Sequence, residues 1–174
     1  VGFAHQKGLV HRDLKPANVL LQPMSGAYLP KVADFGIVKV VEDTLGAKSQ
    51  GKGTRTGIAM GTPQYMSPEQ IESTAGVDHR SDVFALGAIL YELICGKRAF
   101  EGPNIVAILT KIQEGWFDDP EEVVPDLDQR YYNAIRGALE PDPDKRIPDC
   151  HSLAKVLAGE GGVPVIEKRQ STPP

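Results

Sequence analysis

Residues 81–95 read S-D-V-F-A-L-G-A-I-L-Y-E-L-I-C, with Val83, Phe84, Leu86, Ile89, Leu90, Leu93 and Ile94 all apolar. Wound at 3.6 residues per turn, those positions cover nearly the whole circumference. A helix here has no face to turn to water and is expected to lie buried in the middle of the molecule. Ser81 suits its start as a capping hydroxyl, and Gly96 its end. Glu92 interrupts the run, which falls short of the ~20 apolar residues of a membrane span. Protein, not lipid, is therefore expected around it. A chain of 174 residues, 41% of them hydrophobic, can supply that surrounding as one domain or a piece of one.

The periodicity elsewhere predicts what does the surrounding. Ile105, Ile108, Leu109 and Ile112 keep helical spacing after Pro103, as do Leu127, Tyr131, Ile135 and Leu139. A last short helix carries Leu153, Val156 and Leu157 and stops at Gly159. Residues 1–8 read as the final turns of a helix capped by Gly8. Val19-Leu20-Leu21 and Lys31-Val32-Ala33, separated by Pro23, Gly26 and Pro30, predict two short strands joined by a loop. Residues 41–60 lose all periodicity among Gly, Lys, Ser and Thr, which marks a functional loop. The expected fold is mainly α with a small β element, a domain over 1–159 and a linker or tail over 160–174. The chain opens on Val1 as though inside an element, so a fragment is expected.

Charge and cysteine usage narrow the partners. Nineteen Lys and Arg against 23 Asp and Glu give a net charge of −4, with no pull on a phosphate backbone, so nucleic acid is excluded as a partner. No signal peptide is evident, and no membrane contact is expected from this segment. Cys95 and Cys150 stand alone, without the spacing of a disulfide framework or a zinc site, which fits a reducing cytoplasm; Cys95, on the buried helix, should be inert. His5, His79 and His151 lack ligand-spaced partners and read as surface or hydrogen-bonded histidines. Trp116 reads as a packing anchor, and Asn104 and Asn133 as capping or helix-surface residues. Residues 46–52 match G-x-x-x-x-G-K, but Gly53 stands where a phosphate loop needs Ser or Thr, so that reading is set aside.

Two segments carry chemistry: His11-Arg12-Asp13-Leu14-Lys15-Pro16-Ala17-Asn18, running into the first strand, and Asp34-Phe35-Gly36, after the second. Phosphoryl transfer from a nucleotide needs a positioned base, a cation near the moving group, and oxygen ligands for magnesium. Asp13 can orient a hydroxyl, Lys15 can neutralise phosphate charge, and Asn18 and Asp34 are hard oxygen donors. Either aspartate alone would more often be a loop cap; the surrounding motif reverses that reading.

With those residues in place, the chain resembles the eukaryotic-type (Hanks-type) serine/threonine protein kinases over residues 1 to about 159, and is most similar to bacterial members. The resemblance rests on HRDLKPANVLL, on DFG, on GTPQYMSPEQ ending in Ser67-Pro68-Glu69, on HRSDVFALGAILYEL, and on Arg146 as the family's late arginine. It implies a protein-kinase-like C-terminal lobe, the family's helices E to I, lacking the N-terminal β lobe, which is the missing partner. It implies transfer of the ATP γ-phosphate to Ser or Thr of protein substrates, with Mg²⁺ (or Mn²⁺) as metal and a segment inactive alone. By resemblance Asp13 is the catalytic base and Lys15 its phosphate-stabilising partner, while Asn18 and Asp34 hold the metal. Leu20 floors the adenine pocket, and Thr62 hydrogen-bonds around Asp13 and Lys15. His11 and Phe35 pack the loop onto the core, Asp82 accepts its backbone N–H groups, and Glu69 and Arg146 form a buried ion pair. Arg12 would receive phosphate placed on the activation loop, where Thr44, Ser49, Thr54 and Thr56 are candidates, Thr54 and Thr56 foremost. Phe84 stands where the family more often has Trp, and Ser67 where it has Ala. A non-catalytic scaffold and a small-molecule kinase are the competing readings. The intact Asp13, Lys15, Asn18 and Asp34 disfavour the first, and the segment from Asp34 to Glu69 the second. The expected location is cytoplasmic, in a parent protein that other segments could anchor to a membrane.

Overall fold

The computed structural model describes residues 1–35, 63–72 and 77–160. Helix α1 (Gly2–Gln6) leads through Gly8, at φ +74°, into the 11–18 loop. A 3₁₀ turn (Pro16–Asn18) then opens an antiparallel hairpin of β1 (Val19–Met24) and β2 (Ala27–Val32). A second 3₁₀ turn (Pro63–Tyr65) precedes α2 (Pro68–Glu72). The remainder is helical: α3 (Arg80–Cys95), α4 (Ile105–Glu114), α5 (Pro120–Val123), α6 (Gln129–Ala138) and α7 (Cys150–Leu157).

The hairpin is longer than the two short apolar runs suggested. Its register pairs Val19 with Val32 and continues to Met24 with Ala27, passing through Pro23 and Pro30 without a break. A proline cannot donate to a ladder, but both strands of a two-stranded sheet are edges, where a missing N–H can face away from the partner. The pair is therefore compatible with prolines that argue against a central strand.

Helix α3 is the axis of the helical body. On one side Phe84 stacks on Phe100 at 5.8 Å, and Phe117 meets both Tyr91 and Phe100 edge-on at 5.7 and 5.8 Å. On another side Val83 joins Ala134, Ala138, Ile147, Leu153 and Val156, tying α3 to α6 and α7. The approach to α6 is so close at Gly87 that a Cβ there would fall 2.6 Å from the Ala138 Cβ, so only glycine fits without movement. Two expectations need correction. Burial does not run to the end of α3: Leu93, in its last turn, is 77% exposed. Nor does Ser81 cap the helix, which starts at Arg80; Ser81 is buried and its Oγ donates to Asp78 O at 2.8 Å. The other starts follow local rules. Asn104, Asp119, Asp128 and Asp149 each accept a backbone N–H of the first turn, and Gly96 and Gly115 close α3 and α4 with left-handed φ of +69° and +68°. No helix among the described residues is long and apolar enough to cross a membrane.

Candidate active site

The 11–18 loop takes its shape from the buried helix beneath it. Asp82, in the first turn of α3 and 1% exposed, accepts His11 N–H at 2.8 Å on Oδ2 and Arg12 N–H at 2.9 Å on Oδ1. Two successive amides bound to one carboxylate hold the loop over the helix start, where a negative charge also suits the helix dipole. Arg12 is left-handed, at φ +66°, a conformation that a side chain with a Cβ adopts only when its surroundings hold it. Its guanidinium Nη2 reaches Val77 O at 3.4 Å.

His11 is fully buried and ties the loop to the segment after β2. Its Nδ1 accepts Asp13 N–H at 3.3 Å, so the ring proton sits on Nε2, which donates to Ala33 O at 2.9 Å. The ring lies 4.8 Å from that of Phe35. Ala33 N–H in turn donates to Asn18 O at 2.9 Å, one step beyond the last ladder pair, so Asp34 follows a residue bonded to Asn18. Asp34 is exposed and left-handed, at φ +56°.

Asp13, Lys15 and Asn18 converge. Lys15 Nζ is 2.8 Å from Asp13 Oδ2, and Asn18 Nδ2 donates to Asp13 O at 2.8 Å and to Asp13 Oδ2 at 3.4 Å. Both of these Asn18 bonds use its nitrogen, which leaves Oδ1 as the atom suited to a hard cation. No group of three or more His, Cys, Asp or Glu able to hold a metal occurs among the described residues. Asn18 Oδ1 and the Asp34 carboxylate are hard oxygen donors of the kind Mg²⁺ takes, an ion that keeps waters and substrate phosphates for its remaining ligands. Leu20 stands on β1, 57% exposed beside the loop. Thr62, Thr54, Thr56, Thr44, Ser49 and residues 46–52 lie outside the described residues.

Below the loop, Glu69 and Arg146 meet across 77 positions in two parallel bonds, Nη1 to Oε1 at 2.7 Å and Nη2 to Oε2 at 2.9 Å. Arg146 also donates to the carbonyls of Glu140, Arg80 and Pro141, and its guanidinium lies 5.1 Å from the Phe84 ring centroid. Burial pushes the Glu69 carboxyl up, but the hydrogen bonds and charge of Arg146, together with hydrogen bonds from its own amide and Ser67, hold the group below its ordinary value. Beside the pair, buried Tyr65 donates to Glu92, and burial followed by that carboxylate pushes its phenol up to about 12.

Sequence reasoning missed two contacts. His5 is a satisfied histidine, but its partner is the same Asp82: Nε2 lies 2.7 Å from Oδ2, with Cys150 Sγ 3.7 Å from Nδ1. No local pattern marks this pair, 77 positions apart. The other is Gln70, whose Nε2 donates to Arg12 O at 2.8 Å. Of the remaining histidines, His79 bonds Pro148 O at 3.0 Å and His151 is exposed. Cys95 and Cys150 are free thiols, both pushed up by burial, Cys150 to about 11.

Comparison with known proteins returns a family model described as the protein kinase domain, matching residues 1–157. The chain is 37% identical over 154 residues to the DNA damage-responsive serine/threonine-protein kinase RqkA of Deinococcus radiodurans, covering 88% of this chain and 22% of that protein. It is 37% identical over 153 residues to the serine/threonine-protein kinase PknB of Mycolicibacterium smegmatis, covering 84% and 22% respectively. It is 44% identical over 109 residues to the serine/threonine-protein kinase pkn3 of Myxococcus xanthus, covering 62% and 19%. The chain thus spans about a fifth of the length of these relatives.

Proposed function

This chain belongs to the protein kinase domain family, and on that premise we propose that it is the C-terminal lobe of an ATP-dependent serine/threonine protein kinase. The observation that carries the reading is the convergence on Asp13: Lys15 Nζ at 2.8 Å and Asn18 Nδ2 at 3.4 Å from one carboxylate oxygen. Asp13 orients the substrate hydroxyl and takes its proton. Lys15 stands where charge develops on the transferred phosphoryl group, and such positioned charge supplies most of the catalysis in phosphoryl transfer. Asn18 Oδ1 and the Asp34 carboxylate would hold Mg²⁺ (or Mn²⁺), which would supply charge neutralisation to the ATP phosphates.

The hairpin supports a partner on its open side. Leu20, Met24 and Leu29 share one face of this two-stranded ribbon by its register and are all exposed, an apolar face left without a cover among the described residues. An N-terminal lobe supplied outside this chain covers it and completes the adenine pocket, with Leu20 as its floor; residues 1–159 alone then bind ATP weakly and transfer no phosphate. Residues 160–174 act as a linker. Phosphate on Thr54 or Thr56 is received by Arg12. The free thiols Cys95 and Cys150 support a cytoplasmic site.

The test uses the full-length parent. Asp13→Asn is expected to lower kcat by ~10²–10⁴, the usual contribution of a general base, with ATP affinity and folding retained. This chain alone serves as the inactive control, and mass spectrometry of the active enzyme finds phosphate on Thr54 or Thr56. Wild-type turnover in the Asn variant removes Asp13 from the role.

A further inference from the structure

The Ser67-Pro68-Glu69-Gln70 segment points two side chains at two distant places. Glu69 goes to Arg146; Gln70 goes to the 11–18 loop. Gln70 is the third residue of α2, and its Oε1 accepts the N–H of buried Ser67, just before the helix, at 3.1 Å, with Ser67 Oγ at 3.3 Å. That is the returning half of a capping box, in which the third side chain satisfies the amide at the helix start. With Oε1 committed there, the orientation of the amide is fixed and Nε2 must face elsewhere. It donates to Arg12 O at 2.8 Å, 58 positions away.

Arg12 is the left-handed residue immediately before Asp13, and its own N–H is held by Asp82 Oδ1 at 2.9 Å. Its carbonyl belongs to the peptide plane whose N–H is that of Asp13, and that N–H donates to His11 Nδ1 at 3.3 Å. The plane leading into Asp13 is therefore held at its oxygen by Gln70 and at its nitrogen by His11. The bond from Gln70 is one of the contacts that oppose rotation of that carbonyl toward a more ordinary arginine conformation.

We propose that Gln70 is a positioning residue for Asp13: its amide N–H fastens the peptide that aims the base to the turn that Arg146 anchors. The proposal rests on the reading of Asp13 as the base. It assigns one side chain two separable duties, accepting from Ser67 and donating to Arg12. Gln70→Glu keeps the acceptor for Ser67, loses the donor, and sets a carboxylate against a carbonyl. Gln70→Lys keeps a donor for Arg12 and loses the acceptor.

In the full-length kinase, Gln70→Glu is expected to lower kcat by ~10–100-fold, the scale on which sub-ångström to ångström misplacement acts, with KM for ATP unchanged. Gln70→Lys is expected to retain most of the turnover while melting at lower temperature. In this chain alone, NMR of Gln70→Glu is expected to shift the Arg12 and Asp13 amides and speed their exchange, while Gln70→Lys leaves them near wild type. Equal loss of turnover in both variants would reduce Gln70 to a helix cap and overturn the proposal. So would unshifted Arg12 and Asp13 amides in Gln70→Glu, whatever the activity. Wild-type turnover in Gln70→Glu beside a collapsed Asp13→Asn overturns the positioning role and leaves the base intact. Undiminished turnover in Asp13→Asn instead sinks the base, and the amide shifts then decide the clamp independently.

Discussion

Between residues 80 and 157 the molecule is held by apolar packing around α3, with four aromatic rings joined in a chain of contacts and a glycine where two helices touch. Between residues 11 and 35 almost every defining contact is polar: two amides on Asp82, a histidine bridging Asp13 and Ala33, an asparagine reaching Asp13. The two regions share one seam, the line from Asp82 through Gln70 to the Glu69–Arg146 pair. Packing distributes its energy over many weak contacts, so losing one atom is seldom decisive. A polar seam concentrates it in a few directional bonds, and an unpaired member is costly. The body should bend under substitution, and the seam should break.

The largest expected effect tests the seam. Arg146 makes five hydrogen bonds with its three nitrogens, and its side chain is fully buried while that of Glu69 is largely so. Arg146→Ala strands the Glu69 carboxylate and three carbonyls, and is expected to cost ~3–5 kcal/mol. Urea denaturation of this chain measures it. Arg146→Lys should recover only part of that loss, because one ammonium cannot meet a carboxylate bidentately and reach three carbonyls besides. A lysine variant as stable as wild type would mean that charge alone, not the planar fork, holds the seam.

A smaller effect tests the body. Gly87→Ala adds one methyl at 2.6 Å from the Ala138 Cβ, with the Ala138 carbonyl carbon and a Leu139 methyl each at 3.3 Å. The nearest neighbour has no flexible end to swing aside, so α3 and α6 must separate slightly, at ~1–3 kcal/mol. The same denaturation series checks it. An effect as large as that of Arg146→Ala would erase the contrast between the two regions.

The same contrast explains what the sequence could reveal. Periodicity made α3, α4, α6 and α7 legible because each has a repeating apolar face, and Asn104 fell at its cap because capping is decided within three residues. The hairpin bounds were misread because Pro23 and Pro30 are allowed by the openness of the sheet, which no local pattern records. Leu93 looked buried because composition does not say where the neighbours of a helix end. The residues His11, Asp13, Lys15, Asn18 and Asp34 stood out in the sequence because they are adjacent in motifs, and the structure brings the first four together. His5 and Gln70 were missed because their long-range contacts lie outside the motifs whose resemblance carried the equally distant Glu69–Arg146 and Asp82 contacts. Ser67 carried a partial signal: a serine three residues before a glutamine is the spacing of a capping box, although the donor left over for Arg12 leaves no trace in that spacing.

The smallest expected effect is a pH dependence confined to the seam. Glu69 sits below its ordinary value of 4.5 in the folded chain: burial pushes it up, and the hydrogen bonds and charge of Arg146, with those from its own amide and Ser67, together pull it lower. A group whose pKa is lower folded than unfolded binds its proton more readily in the unfolded state, so its contribution is complete above 4.5 and is lost as pH falls through the folded value. Asp78, Asp142 and Asp149 are lowered as well and lose their contributions over the acid range, so the slope of the wild type alone assigns nothing to Glu69. Glu69→Gln removes one titrating group while keeping an acceptor for Arg146. Its stability should fall less steeply with acid than that of the wild type, the two curves converging as pH drops below 4.5. The shift is smaller than the loss in Arg146→Ala because a protonated Glu69 still accepts one of its two bonds and the guanidinium keeps its three carbonyl partners. Parallel curves for the two proteins between neutral pH and the acid limit would show that the pair contributes geometry without charge coupling, and that the seam, like the body, is held by shape.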